Sequence, residues 1–244
     1  MTATTLSHAQ PLLIAHASGG FNGLDYTNSL ESLETNYNKG FRVFEIDFSW
    51  TSDGQLVCLH DWDKRFKKVF GYSIKKPLSY HEFQMALYHT DGAHPCTPET
   101  LANWVLDFPD VQIVTDVKRD NLKAIKLILK NHPKIQKQLI VQFYQPEEYS
   151  VLKKLGFKNL IWILYQYQGS LKSVATLAEN MDLFALSMRA SQVKKKPMQS
   201  LREKGINLFV YTLNTKSTLK KMTNKYGVSG IYTDFLPANV STHN

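Results

Sequence analysis

Glu45 and Asp47 stand two residues apart in the run Phe44-Glu45-Ile46-Asp47-Phe48. On a β-strand that spacing puts both carboxylates on one face. Val43, Phe44, Ile46 and Phe48 make the run apolar enough for a strand buried on both sides. Two carboxylates held together between apolar walls repel each other and need a proton, a basic partner or a cation. A divalent metal is the simplest resident. His16 precedes the pair and His60-Asp61 follows it; histidine titrates near neutrality, which suits proton transfer beside such a metal.

These residues need elements to position them. Apolar runs of strand length begin near residues 12, 42, 111, 139, 160, 183, 208 and 228, with helix-period segments between them. Residues 51–54 read as a turn, and 56–60 as a further extended piece returning along the second strand. Residues 62–95 interrupt the rhythm and read as an irregular insertion with one helix around 80–88. Eight strands with intervening helices predict an α/β fold, a parallel (β/α)8 TIM barrel, with the whole of 1–244 as one domain. A doubly wound sheet is the alternative, but His16-Ala17-Ser18-Gly19-Gly20 is not its glycine fingerprint, and no Walker A sequence occurs.

A barrel of this kind gathers its active site at the C-terminal ends of its strands. His16 ends the first predicted strand, and Glu45 and Asp47 lie late in the second. Asp116 and Lys118 end the third and Gln142 the fourth. Tyr211 and Asn214 close the seventh, and Thr233-Asp234 follow the eighth. The N-terminal ends carry no comparable set.

Composition narrows the class. Lys and Arg total 29 against 21 Asp and Glu, a formal +8 spread over the chain; this favours anionic partners while fitting a solvated lysine-rich surface. Lys194-Lys195-Lys196 is too brief to indicate nucleic-acid binding, and no recognition motif supports that function. Cys58 and Cys96 show neither disulfide-framework nor zinc spacing and read as ordinary thiols of a reducing compartment. Residues 1–10 do not read as a secretory leader, and no apolar run approaches the ~20 residues that span a bilayer. The expected location is the cytoplasm.

The ordered block of His16 with its glycine-rich sequel, Asn28-Ser29, Phe44-Glu45-Ile46-Asp47, Thr51-x-Asp53-Gly54 and Val57-x-Leu59-His60-Asp61 resembles the glycerophosphodiester phosphodiesterase family, within the phosphatidylinositol-specific phospholipase C-like phosphodiesterases. Asp116-Val117-Lys118 is similar to the family's Glu-x-Lys, and Tyr211-Thr212-Leu213-Asn214 and Gly230-Ile231-Tyr232-Thr233-Asp234 to its closing segments. The chain departs from the pattern at Ala17, where the family's His-Arg-Gly supplies an arginine, at Thr27 in place of glutamate, and at Asp116, one methylene short of glutamate. It looks like a divergent bacterial branch.

The resemblance implies metal-assisted cleavage of a glycerophosphodiester to an alcohol and a glycerol phosphate, with His16 and His60 as the acid/base pair. In this superfamily the attacking group can be the substrate's own neighbouring hydroxyl, which implies a cyclic phosphate. Glu45, Asp47 and Asp116 are the expected metal ligands; hard oxygen donors select Mg²⁺, Ca²⁺ or Mn²⁺. Lys118 is expected on a phosphoryl oxygen, with Asn28, Ser18, Gln142 and Tyr211 as further substrate contacts. Asp61 is expected to orient His60, and His81, His89, His94, His132 and His243 to be structural or superficial. The expected partner is a small phosphodiester. Two alternatives stand beside it: a phospholipase in peripheral contact with a membrane through Trp62, Phe66, Phe70 and Tyr72, and a barrel that binds a phosphorylated ligand without cleaving it.

Overall fold

Residues 10–90 and 92–240 are described by a computed structural model. His243 and all but the last residue of the expected leaderless segment 1–10 lie outside them. Among the described residues nine strands form: β1 (Leu12–Ala15), β2 (Val43–Trp50), β3 (Leu56–Cys58), β4 (Gln112–Val117), β5 (Leu139–Phe143), β6 (Leu160–Ile163), β7 (Ala185–Arg189), β8 (Leu208–Tyr211) and β9 (Gly230–Thr233). All but β3 pair in parallel in the order β1-β2-β4-β5-β6-β7-β8-β9, and β1 pairs with β9 to close the ring. The expected (β/α)8 barrel is therefore the fold. The extended piece after the Thr51–Gly54 turn is β3, which returns antiparallel on β2 with Phe48 opposite Cys58.

Helices α1 (Leu30–Asn38), α4 (Pro98–Asp107), α5 (Asn121–Asn131), α6 (Pro146–Lys154), α7 (Leu171–Ala178), α8 (Ala190–Val193), α9 (Lys196–Glu203) and α10 (Lys216–Lys220) lie between barrel strands, and α2 (Lys64–Phe70) and α3 (Tyr80–Tyr88) belong to the insertion. Several start where the sequence supplies a cap. Ser29 accepts from Ser32 N, Thr97 precedes Pro98 and accepts from Thr100 N, and Ser79 with Glu82 forms a capping box. Such a cap contributes about 1 kcal/mol. The last helix, α10, passes into a π-turn at Lys221–Lys225.

The insertion is more ordered than its composition suggests. Besides the expected α3, helix α2 packs Phe66 against Val57, Leu59 and Phe83 in a small core of its own. Its period was hidden among lysines. Here the thiol expectation is corrected: Cys58 and Cys96 form a disulfide. The Cys58 amide donates to the Cys96 carbonyl at 2.9 Å, so the two backbones already run side by side with their Cα atoms 5.0 Å apart. Residue spacing could not show this, because 38 positions separate the pair.

The barrel's interior explains how the site is placed. One inward residue from each strand builds an apolar floor: Ile14, Val43, Val114, Ile140, Ile161, Ala185, Phe209 and Tyr232. Side chains on a strand repeat every two residues. Two positions on from that floor come His16, Glu45, Asp116, Gln142, Ile163, Ser187, Tyr211 and Asp234. The layer above the apolar one is thus mostly polar.

Candidate active site

A cavity of about 300 Å³ opens at the C-terminal end of the barrel, lined in part by His16, Glu45, His60, Asp116, Lys118, Gln142 and Tyr211. Glu45, Asp47 and Asp116 each offer an oxygen within 4.8 Å of the others, and all three are buried. The register Asp47↔Asp116 between β2 and β4 puts two of them side by side. Among the described residues Glu45 Oε1 has no hydrogen-bond partner. A buried, unpartnered carboxylate oxygen beside two more carboxylates fits a hard divalent cation.

The charges show what this cluster costs without one. Burial, then the Asp47 charge, push the Glu45 carboxyl up well above the usual carboxylate range. Burial works against ionising Asp47 too, but the Lys118 ammonium together with the His60 and His16 charges outweighs it and holds that carboxyl low. Lys118 Nζ lies 2.6 Å from both Asp47 Oδ1 and Asp116 Oδ2. Despite its burial, those two carboxylates raise its pKa well above the ordinary value. Lys118 therefore bridges two of the candidate ligands and reaches the cavity at the same time.

Asp116 is held on its other side by two phenols. Tyr144 donates to its Oδ1 at 2.5 Å and Tyr165 at 2.9 Å. Burial, then the Asp116 charge, raises the pKa of both hydroxyls, which stay protonated donors. The shorter Asp116 side chain is thereby fixed in place.

His16 follows β1 in a tight turn. Its Nδ1 bonds Asp234 Oδ1 at 2.7 Å, and Asn214 Nδ2 donates to the other oxygen of Asp234 at 2.7 Å. Asn214 Oδ1 accepts from Thr233 Oγ1 and from the Asp234 amide, locking the ends of β8 and β9 together. Burial opposes charge on His16. The Asp234 hydrogen bond and the Glu45 charge overcome it and raise the imidazole to about 9. His60 Nδ1 bonds Asp61 Oδ2 at 2.8 Å. Both rings thus give Nδ1 to a carboxylate, which leaves Nε2 for exchange with a ligand.

Tyr26 stands between them, edge-on to His16 at 4.6 Å and to His60 at 4.9 Å between ring centroids. The Arg65 guanidinium lies 3.6 Å over its ring, and Asp25 pairs with Arg65 and Lys68, so α2 clamps the Tyr26 loop. Tyr26, Asn28, Ala17 and Ser18 all have positive φ. Left-handed backbone costs non-glycine residues on the order of 1 kcal/mol each. Ala17 shows what the turn gains: its amide is aimed at Glu45 Oε2 at 2.7 Å.

Two expected substrate contacts lie behind the cavity wall. Asn28 is fully buried; its Nδ2 donates to Asp47 Oδ2 and its Oδ1 accepts from the Asp47 amide. Ser18 is also fully buried; its hydroxyl donates to the Ala17 carbonyl and accepts from the Ser29 amide before α1. Both position other residues and do not line the cavity. Gln142 and Tyr211 do line it, and Gln142 Oε1 is buried without a hydrogen-bond partner. Sequence reasoning missed Tyr26, Tyr165 and Arg189; the last two lie two residues beyond Ile163 and Ser187, on the same inward rows.

The model of the glycerophosphoryl diester phosphodiesterase family matches residues 19–238. No curated protein matches the chain by sequence. Among solved structures it is similar to a glycerophosphodiester phosphodiesterase from Thermotoga maritima, at 22% identity and TM-score 0.73, covering 93% of this chain and 96% of that one. It is similar to one from Parabacteroides distasonis, at 20% identity and TM-score 0.70, covering 94% and 95%. A third is a phosphodiesterase from Oleispira antarctica in complex with its product sn-glycerol-3-phosphate, at 18% identity and TM-score 0.63, covering 94% of each chain. With the family model spanning most of its length, the chain belongs to the glycerophosphoryl diester phosphodiesterase family and is a phosphoric diester hydrolase.

Proposed function

We propose that this chain, acting as a single barrel domain, cleaves glycerophosphodiesters to an alcohol and a glycerol phosphate with a divalent cation, Mg²⁺, Ca²⁺ or Mn²⁺, as cofactor. The observation that carries the reading is one cavity lined by Glu45, Asp116 and two histidines, each histidine oriented by its own acid, with the buried Asp47 carboxylate within 4.8 Å of the other two. The product bound by the Oleispira antarctica relative supports a glycerol phosphate half in the substrate. Glu45, Asp47 and Asp116 would hold the cation, which when bound polarises a phosphoryl oxygen and lowers the pKa of the attacking oxygen. Lys118 places an ammonium at the same mouth, where negative charge builds up on the phosphoryl group. His16 and His60 flank that point from either side of Tyr26 and together take one proton from the attacking oxygen and give one to the leaving oxygen. Asp234 and Asp61 keep both rings aimed. Asn28 holds Asp47, and Gln142 and Tyr211 line the substrate's path.

Turnover of glycerophosphodiesters with each of the three cations, and after chelation, tests the reading. Turnover is expected only with added cation; full activity in chelator would overturn the cofactor assignment.

A second reading is favoured by one surface. Of the aromatics expected at a membrane, Phe66 is fully buried and Trp62 and Phe70 pack against it, which leaves Tyr72. The insertion also exposes Met85 and Tyr88 and carries Lys64, Lys67, Lys68, Lys75 and Lys76, a combination suited to anionic lipid. On this reading the substrate is an intact lipid at a membrane. Among the described residues no helix is long and apolar enough to cross a bilayer, so such contact would be peripheral. Sedimentation with anionic vesicles separates the two readings. The Cys58–Cys96 disulfide supports an oxidising compartment over the cytoplasm expected from composition.

A further inference from the structure

The cavity has two unlike walls. Glu45, Asp47, Asp116, Lys118 and His16 come from β1, β2 and β4 or the turns just after them. Four steps round the ring from β2, and so directly across the barrel, stands β7. Its last residue, Arg189, lies two positions beyond Ser187 on the inward row and lines the cavity with Tyr165 and Tyr211. Arg189 is opposite Tyr211 in the β7–β8 register. Burial pushes the Tyr211 hydroxyl up, and the neighbouring guanidinium works against that rise.

Three features make Arg189 available to a ligand. It is the one arginine that lines the cavity among the described residues. Its side chain is exposed, and no described carboxylate pairs with it. Lys118 is already held between Asp47 and Asp116, and His16 by Asp234. The Arg189 backbone is fixed, since its amide donates to Gln192 Oε1 at the start of α8.

Resting on the phosphodiesterase reading above, we propose that Arg189, with Tyr165 and Tyr211, forms a subsite for an anionic group on the alcohol that leaves the phosphate. The carboxylate and histidine wall fixes where the phosphorus sits. One of its two alcohols must then face β6, β7 and β8. That wall offers phenols and a guanidinium and, among the described residues, no acid, so a negatively charged tail is stabilised there and a quaternary ammonium is repelled. The preferred substrates are diesters with a second negative charge beyond the phosphate.

Three glycerophosphodiesters of matched length test this, with alcohols ending in a carboxylate, a neutral hydroxyl and a trimethylammonium group. In the wild-type chain kcat/KM is expected to be roughly tenfold or more higher for the carboxylate than for the trimethylammonium tail, the scale of one charge-assisted hydrogen bond. Arg189→Gln should remove most of that ratio, with the neutral diester losing much less than the carboxylate one, and Arg189→Glu should invert it. Equal wild-type rates on all three, or a ratio that survives Arg189→Gln, would overturn the subsite alone. An equal loss on all three in Arg189→Gln would also overturn it, because the guanidinium would then be serving the phosphate. No turnover of any diester with any cation would overturn the phosphodiesterase reading and the subsite with it.

Discussion

His16 Nδ1 and Asp234 Oδ1 lie 2.7 Å apart, although 218 residues separate them along the chain. The bond joins the end of β1 to the end of β9, the two strands that close the barrel. It also keeps the imidazole charged near neutrality, against the effect of burial. Asp234→Asn removes that charge, so the His16 pKa should fall from about 9 toward its ordinary value. The part of the pH–rate profile that needs protonated His16 should move to lower pH, and kcat should fall roughly ten- to a hundredfold. An unmoved profile would mean that Asp234 serves only the fold.

His16→Ala and His60→Ala should each lower phosphodiester turnover by roughly a hundredfold or more. Circular dichroism should show both variants folded, since the barrel floor beneath them is apolar and complete. Near-normal turnover in either would remove that histidine from the proton-transfer pair.

Stability of the metal-free chain should fall as pH rises. His16 titrates at about 9 in the folded state, above its ordinary 6.5, so the folded form holds the proton more tightly. That stabilisation is full below the unfolded value and is lost as pH rises through about 9. It amounts to roughly 3 kcal/mol. Glu45, also raised in the folded state, contributes with the same sign. Melting in chelator should therefore occur at a lower temperature at pH 9 than at pH 6.5. A divalent cation should restore more stability at the higher pH, where protons no longer compete for the site. A flat chelator series across that interval would contradict the assignment.

Gly20→Ala should damage the site from behind. A Cβ there would lie 2.7 Å from the Asp234 carbonyl oxygen and 2.5 Å from the Phe235 ring. The exposed ring can swing aside, but the carbonyl accepts the Gly20 amide at 2.6 Å and cannot yield without moving Asp234. A loss of about 1–3 kcal/mol in stability is expected from such overpacking. Turnover should drop with it, as His16 loses its aim. A variant with wild-type melting and activity would refute the coupling.

Reduction of the Cys58–Cys96 bridge, or replacement of both cysteines by serine, should destabilise the chain. A bridge spanning 38 positions constrains the unfolded state by on the order of 3–4 kcal/mol. The melting temperature should fall by roughly 6–15 °C for a domain of this size. Identical melting with and without reductant would show that the thiols are not paired in solution.

The barrel and most of its chemistry were legible in the chain because both obey a local rule. Side chains alternate along a strand, so Val43-x-Glu45-x-Asp47 declares a floor residue and two ligands, and Val114-x-Asp116-x-Lys118 a floor residue, a ligand and a group at the mouth, without knowledge of any neighbour. The same rule applied to Ile161-x-Ile163-x-Tyr165 and Ala185-x-Ser187-x-Arg189 would have found the facing wall. Neither run stands out by itself, because a tyrosine or arginine after a strand is ordinary in isolation.

Other relations had no local signal. Asn28 turns its amide to Asp47 and not to the cavity because the left-handed turn at residues 17 and 18 and its own positive φ aim it there. Cys58 meets Cys96 because β3 returns on β2 and brings the chain after the insertion alongside. Strand alternation is enough to say which residues face inward and that a cluster of acids and histidines collects at one end of a barrel. Which acid orients which histidine, which cation is already held, and which is left for a ligand follow from the folded barrel alone. Facing inward is a property of each strand alone, whereas partnership depends on the closure of β1 on β9 and the placing of β7 opposite β2, which join residues distant in sequence.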